Sequence, residues 1–241
     1  MLRCLAILLA STAFAQPAFD VASLKQSIPV PPGENYRANL GSAFNGRVQV
    51  TNGTLADCIK FAYGLVSDDQ LAGPEWIKSK EFRYDIDGRA PAGATRDQML
   101  LMLRTLLDER FRLKLHHESR AFGHLVLTVA KDGSKMKEVP TDAPSNMTYT
   151  TGHITHTRAP MYILALLLSR QMRQLVLDET GLKGFYEIDL RWTPADAPEG
   201  TDTGPPIFKA IQEQLGLKLE SRKDGVDVLM VDSAEKVPIA N

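Results

Sequence analysis

The stretch YDIDGRAP at residues 84–91 has a close counterpart, YEIDLRWTP, at residues 186–194. A second pair, ERFRLKL at 109–115 and EQLGLKL at 213–219, matches at an offset of 104. Two matches at nearly one offset are typical of a duplicated unit. The first match has an offset of 102, and its identical pairs are Tyr84/Tyr186, Ile86/Ile188, Asp87/Asp189 and Arg89/Arg191.

Secondary-structure signals have the same order around both matches: strand, helix, strand, helix, hairpin. We therefore predict an α+β fold of two similar small units, each with two helices packed on a small mixed β-sheet and a C-terminal hairpin. Capping pairs Thr54/Asp57 and Thr95/Gln98 begin the first two helices, and prolines begin the others. The predicted hairpins are RLKLHHE–HLVLTVAKD, joined by SRAFG, and LKLES–VDVLMVD, joined by RKDG.

The boundaries follow from Pro/Gly-rich and polar stretches between these patterns. A short strand, FDVASLK, is expected to open the chain that follows the leader. The predicted segments are a signal peptide at 1–15, an N-terminal strand and Pro/Gly-rich loop at 16–46, a first α+β repeat unit at 47–131, a linker at 132–146, a second unit at 147–232 and a tail at 233–241.

The first residues have the pattern of a secretory signal peptide. Arg3 precedes an apolar run that ends in Ala13-Phe14-Ala15, a small-x-small cleavage pattern. The run is too short to span a bilayer, for which about 20 residues are needed. A buried N-terminal helix is the alternative, which Gln16-Pro17 disfavours. We expect export to the periplasm or beyond, and a soluble chain after cleavage near Ala15.

Composition disfavours two kinds of partner and excludes an intramolecular disulfide in the cleaved chain. The 241 residues are 44% hydrophobic and 24% charged, with a formal net charge of -1, so nothing favours a nucleic-acid or anionic-membrane partner. Cleavage leaves one cysteine, Cys58, which cannot form an intramolecular disulfide. It lies in TLADCIKFAYGL on the apolar face, where we expect a buried thiol.

The motif VLDETGLKG at 176–184 suggests chemistry, but its details favour a turn. Ion-pump and pepsin-like motifs need D-K-T-G-T or a contiguous D-[ST]-G, and Glu179 and Leu182 break both patterns. An aspartate side chain can cap a turn, and glycines permit positive φ. We predict that Asp178 forms a turn between two strands.

The other polar candidates also favour structural roles. We expect the five histidines at the surface, with His117 and His124 able to pair across the first hairpin. His153 and His156 are three apart on a strand and point to opposite faces, which opposes metal chelation. Asp87/Asp189 and Arg89/Arg191 are expected in cross-strand or same-face ion pairs, and Trp76 and Trp192 in packing.

The sequence contains no G-x-S-x-G or H-E-x-x-H motif and no glycine-rich phosphate loop. We therefore assign no catalytic, cofactor-binding or metal-ligating residue and no cofactor.

Several motifs together resemble one family: FAYGL, LAGPEW, YDIDGRAP, MLRTLLDERFRLKLHHESR, DETGLKGFYEIDLRWTP and AIQEQLGLKLESR. It is a family of exported soil-bacterial proteins catalogued as domain of unknown function 3738, whose usual D-K-T-G-L-x-G has Glu179 in place of lysine here. The resemblance runs from Phe19 to about Lys236. Some relatives carry this domain behind a membrane sensor metallopeptidase, which implies an envelope role. Each half also resembles the secretin/TonB short N-terminal domain, which implies an interaction module.

We expect a non-enzymatic envelope module that binds a protein or peptide partner through an exposed sheet edge, without nucleic acid or stable membrane insertion. Two alternatives stay open: a secreted hydrolase or metal-dependent enzyme with a dispersed site, and the ligand-sensing ectodomain of a sensor peptidase. The sequence does not determine the oligomeric state.

Overall fold

A computed structural model describes residues 16–28, 38–195, 197–198 and 204–239. The predicted signal peptide at 1–15 lies outside these residues, as does part of each of two predicted loops, at 29–37 and 199–203.

The described chain is an α+β fold, as the sequence predicts, with helices alternating between groups of strands. The strands are β1 Val21–Gln26, β2 Asn39–Phe44, β3 Arg47–Gly53, β4 Leu71–Ala72, β5 Tyr84–Arg89, β6 Lys114–Val129, β7 Lys137–Val139, β8 Met147–Thr150, β9 His153–Pro160, β10 Val176–Asp178, β11 Phe185–Arg191 and β12 Leu217–Ser233. The helices are α1 Leu55–Tyr63, α2 Arg96–Phe111, α3 Met161–Met172 and α4 Ile207–Ala210.

Contacts divide the chain into two compact units. Unit 1 consists of Met1–Tyr63, Pro74–Lys114 and Ser233–Asn241, and unit 2 of Gly64–Gly73 and Leu115–Asp232. Both differ from the expected continuous ranges 47–131 and 147–232, because strands distant in sequence pair within one sheet. The expected linker 132–146 contributes β7, which pairs with β11 in unit 2.

Unit 1 contains an antiparallel sheet of order β1-β5-β3-β2. Val48 and Val50 on β3 and Tyr84 and Ile86 on β5 are buried, since alternate residues of a strand point to one face. The helices α1 and α2 pack against the sheet. This sheet therefore has one apolar face and one solvent-facing face.

Strand β2 lies in the segment for which the sequence predicts a loop, so that expectation is wrong for residues 39–44. Asn45 and Gly46 have φ values of 50 and 70°, which a tight two-residue hairpin between β2 and β3 requires. The Asn-Gly pair is a hairpin signal that outweighs the surrounding loop-type composition.

The predicted caps of α1 and α2 are confirmed. Thr54 Oγ1 donates to Asp57 Oδ2 over 2.7 Å and accepts from the Asp57 N–H at 3.1 Å. Thr95 accepts from the Gln98 N–H, while Gln98 Oε1 accepts from the Thr95 N–H at 2.8 Å. These reciprocal bonds satisfy N–H groups that have no partner within the helix.

Unit 2 contains two sheets. The first is antiparallel, of order β7-β11-β9-β8, and the second is mixed, of order β10-β6-β12-β4. Its core surrounds α3 and includes Trp192, which is 2% exposed. Packing is thus the role of Trp192, as the sequence predicts.

Strand β6 is continuous over 16 residues, and strand β12 is continuous over 17 residues. The chain remains strand through SRAFG and RKDG, the segments in which turns are expected, and neither Gly123 nor Gly225 has a positive φ. The two long strands are neighbours in the mixed sheet, where ladder pairing outweighs the local preference for a turn.

The last helix also differs from the expected regular one. After α4 the chain forms a π-helical turn, Ile211–Leu215, and Gly216 ends it with a φ of 65°. Among the described residues, none of the helices is both long and apolar enough to cross a lipid bilayer.

Candidate binding site

Asp178 forms the turn that the sequence predicts. Its Oδ1 accepts from the Thr180 N–H at 3.0 Å and from Thr180 Oγ1 at 2.7 Å. Thr180 Oγ1 in turn accepts from the Leu182 N–H at 3.2 Å. The carboxylate is exposed and bonded to its own turn, an arrangement that suits chain reversal.

The histidines are placed differently from the expectation. His124 and His156 are buried, at 2% and 8% exposure, so a surface position is wrong for both. His117 and His124 do not face each other across a hairpin, because both lie on the continuous strand β6. His117 Nδ1 instead lies 2.8 Å from Asp227 Oδ2.

Strand β9 separates its two histidines as the sequence predicts. His156 points inward with Ile154, whereas His153 faces outward and its Nε2 lies 2.8 Å from Asp189 Oδ1. Burial, and then the charge of Arg158, lowers the pKa of His156 below its ordinary value. Among the residues that the structure describes, no group of three or more His, Cys, Asp or Glu side chains could hold a metal ion.

The duplicated acidic residues form ion pairs, and both are cross-strand. Arg47 Nε donates to Asp87 Oδ1 over 2.8 Å, and its second nitrogen bonds Asp87 Oδ2. This hydrogen bonding holds the pKa of Asp87 below its ordinary value. Asp189 pairs across the strands with His153 and along its own strand with Arg191, at 3.4 Å.

Two titratable side chains of unit 1, Cys58 and Tyr84, are fully buried. Cys58 is 0% exposed, and burial raises the pKa of its thiol, so the nucleophilic thiolate is disfavoured. Burial likewise raises the pKa of Tyr84 to about 12, while its hydroxyl donates to Lys236 O over 2.7 Å.

Two features remain as candidate sites for binding. The first is an open pocket of about 800 Å³ in unit 1, between the β2–β3 hairpin tip and the connection from β5 to α2. Arg47, Arg89 and Arg96 line it together with Phe44, which is 65% exposed. This pocket has no local signal in the sequence, because Arg47 and Arg89 meet only through strand pairing.

The second feature is the edge of the antiparallel sheet in unit 2. Strand β8 is last in the sheet order, and all four of its residues are exposed. Met147 and Tyr149 are 54% and 38% exposed. An exposed edge of this kind can pair with another strand.

Comparison with known proteins finds one family that matches most of the chain. The family model described as Protein of unknown function (DUF3738) matches residues 56–234. The chain belongs to this family. No curated protein and no solved structure matches the chain. The DUF3738 match includes the Asp178 turn, β8 and part of the arginine-lined pocket, whereas the β2–β3 hairpin precedes it.

Proposed function

We propose that this chain is an exported, non-enzymatic binding module that adds an extended peptide segment of an envelope partner to strand β8. Export is supported by the sequence of residues 1–15, with Arg3, an apolar run and the small residues before Gln16. The single observation that carries the binding proposal is the geometry of the β8 edge.

Among the described residues, no strand pairs with the outer side of β8. The Thr157 N–H donates to Asn146 O over 3.0 Å, which places Asn146 among the positions facing β9. Facing and outward positions alternate along an antiparallel strand, so Thr148 also faces β9. Met147 and Tyr149 therefore direct their N–H and C=O groups outward, toward any added strand.

The side chains at this edge favour an apolar partner. Met147 and Tyr149 lie opposite His156 and Ile154 in the register, on the side of the sheet where those two residues are buried. The two exposed side chains thus continue the core-facing surface beyond its covered part. An added peptide with apolar residues at every second position would cover them.

Protection of the edge is weak. Natural edge strands commonly carry a lysine, a proline or a bulge that discourages pairing. The sequence of β8, Met-Thr-Tyr-Thr, contains neither a charge nor a proline, and its register with β9 is regular. Its short length limits affinity, which fits a reversible contact.

We further infer that the module is a duplicated unit, a reading supported by strand register. In unit 1, Gly88 on β5 pairs with Val48 on β3. Leu190 on β11, 102 residues after Gly88, pairs with Ile154 on β9, which lies 106 residues after Val48. The likeness of each half to secretin/TonB short N-terminal domains stays a prediction.

The test is selection of peptides from a phage-displayed linear library on residues 16–241. The selected peptides are then synthesised and titrated against the protein. We expect peptides with alternating apolar residues, and we expect hydrogen exchange at the Tyr149 amide to slow on binding. The Thr148 amide already faces β9, so its exchange should change little.

A matched pair of variants separates the backbone from the side chain. Tyr149→Ala removes only the ring, whereas Tyr149→Pro also removes the outward N–H without breaking a bond to β9. Loss of hydrogen bonds to the peptide should weaken binding by about tenfold more in Tyr149→Pro than in Tyr149→Ala. Equal binding by both variants, or no selected peptide above background, would refute the proposed edge.

A further inference from the structure

We propose that unit 1 carries a second, separate binding site: the pocket at the β2–β3 hairpin tip takes an organic oxyanion, a carboxylate or phosphate group attached to an aromatic or acyl body. The pocket has a volume of about 800 Å³, which is large enough for a small molecule or a chain end.

The charges of the pocket favour an anion. Three arginines, Arg47, Arg89 and Arg96, line it, and none of the lining residues that the structure describes is acidic. The nearby carboxylate of Asp87 is engaged by Arg47 through two hydrogen bonds. One carboxylate cannot neutralise both Arg47 and Arg89, so this end of the sheet has an excess of positive charge.

Arg89 is the group available to a ligand. Its Cα lies opposite that of Arg47 in the register of β5 and β3, at the end of the sheet that borders the pocket. Within the described part of the chain, no hydrogen bond or ion pair to its guanidinium is found. A planar guanidinium offers paired N–H donors that fit carboxylate and phosphate oxygens.

The rest of the lining is apolar or small. Phe44 has 65% of its surface exposed, and its ring borders the same pocket as Arg89. The connection Ala90–Ala94 has only small side chains and a proline, and a bond of 3.1 Å from the Ala94 N–H to Pro91 O closes it into a turn. An aromatic or acyl body could therefore pack on Phe44 while its anionic group meets Arg89.

The second half of the chain lacks this arrangement at the matching place. His153 lies opposite Arg191 there, as Arg47 lies opposite Arg89. Asp189 contacts both His153, at 2.8 Å, and Arg191, at 3.4 Å. Arg191 thus has a carboxylate oxygen at 3.4 Å, whereas Asp87 is hydrogen-bonded to Arg47 and acts on Arg89 only through its charge at longer range. This difference makes Arg191 a matched control for the pocket.

Calorimetric titration with phenyl phosphate, benzoate, inorganic phosphate and neutral benzamide tests the proposal. We expect phenyl phosphate or benzoate to bind more tightly than inorganic phosphate and benzamide, and their order identifies the preferred oxyanion. Arg89→Gln should weaken binding by about tenfold or more through loss of a charge-assisted bond, whereas Arg191→Gln should not change it.

Phe44→Ser is an independent test, since it should weaken the binding of phenyl phosphate and leave the binding of inorganic phosphate unchanged. All three substituted side chains are exposed, so the variants should fold as the parent does. Three results would overturn the site: no binding by any probe, equal binding of benzamide and benzoate, or equal losses in Arg89→Gln and Arg191→Gln.

Discussion

Replacing Gly216 by alanine should destabilise unit 2 by about 2–5 kcal/mol. Gly216 has a φ of 65°, a conformation that costs an L-residue about 1–2 kcal/mol. An added Cβ would also collide with Gly133 O and lie 2.8 Å from Lys135 N. These atoms belong to backbone, which cannot swing aside as a long side chain can.

The collision would also break two hydrogen bonds. The Lys135 N–H donates to Leu215 O over 3.0 Å, and the Ala130 N–H donates to Gly216 O over 2.9 Å. Each such bond contributes about 0.5–1.5 kcal/mol, so their loss accounts for the part of the cost that exceeds the backbone term.

Gly181→Ala is the matched control, because Gly181 has a φ of 71° and nothing within 4 Å of an added Cβ. Urea unfolding followed by Trp192 fluorescence measures both variants, in a Trp76→Phe background that removes the signal of unit 1. The control should lose only the backbone term, about 1–2 kcal/mol. Equal losses in the two variants would refute the idea that the 130–135 turn is held rigidly against Gly216.

Three further outcomes follow from single side chains. The lowered pKa of His156 means that its neutral form stabilises the fold; this stability is complete above the unfolded pKa of about 6.5 and is lost as the pH falls toward the folded value. The urea midpoint should therefore drop on acidification, and His156→Gln should reduce the drop. Asp178→Ala should cost about 1 kcal/mol and Asp178→Asn less, since asparagine keeps the acceptor oxygen. Cys58 should react with a thiol reagent only after unfolding, given its burial.

The contrary results are equally concrete. His116→Gln, at an exposed site, should leave the acid-induced drop in place, and an unchanged drop in His156→Gln would contradict the assignment. Equal stability of Asp178→Ala and the parent in urea would show that the turn does not depend on the carboxylate. Fast labelling of native Cys58 would contradict its burial.

Local signals in the sequence predicted local structure well. The caps at Thr54 and Thr95 and the turn at Asp178 depend on residues within four positions of each other, so their spacing is sufficient evidence. Asp189 pairs with Arg191 as expected, whereas Asp87 pairs with Arg47 on the neighbouring strand and not with Arg89.

The features that the sequence did not reveal depend on pairing between strands that are distant in the sequence. The segments SRAFG and RKDG have turn composition but remain strand, because β6 and β12 are neighbours in the mixed sheet. His124 and His156 are polar residues at inward positions, and only the register identifies those positions. The arginine-lined pocket likewise depends on Arg47 and Arg89, which are 42 residues apart and opposite in the register.

The shortest strand of the mixed sheet has a consequence for the timing of folding. Leu71 on β4 pairs with Leu229 on β12, 158 residues later in the chain. A ribosome makes Leu71 long before Leu229, so this pair cannot form until the 158 later positions have been synthesised, and contacts of such separation form slowly. Unit 2 should therefore remain open while these residues are synthesised, a state that would suit the export proposed above.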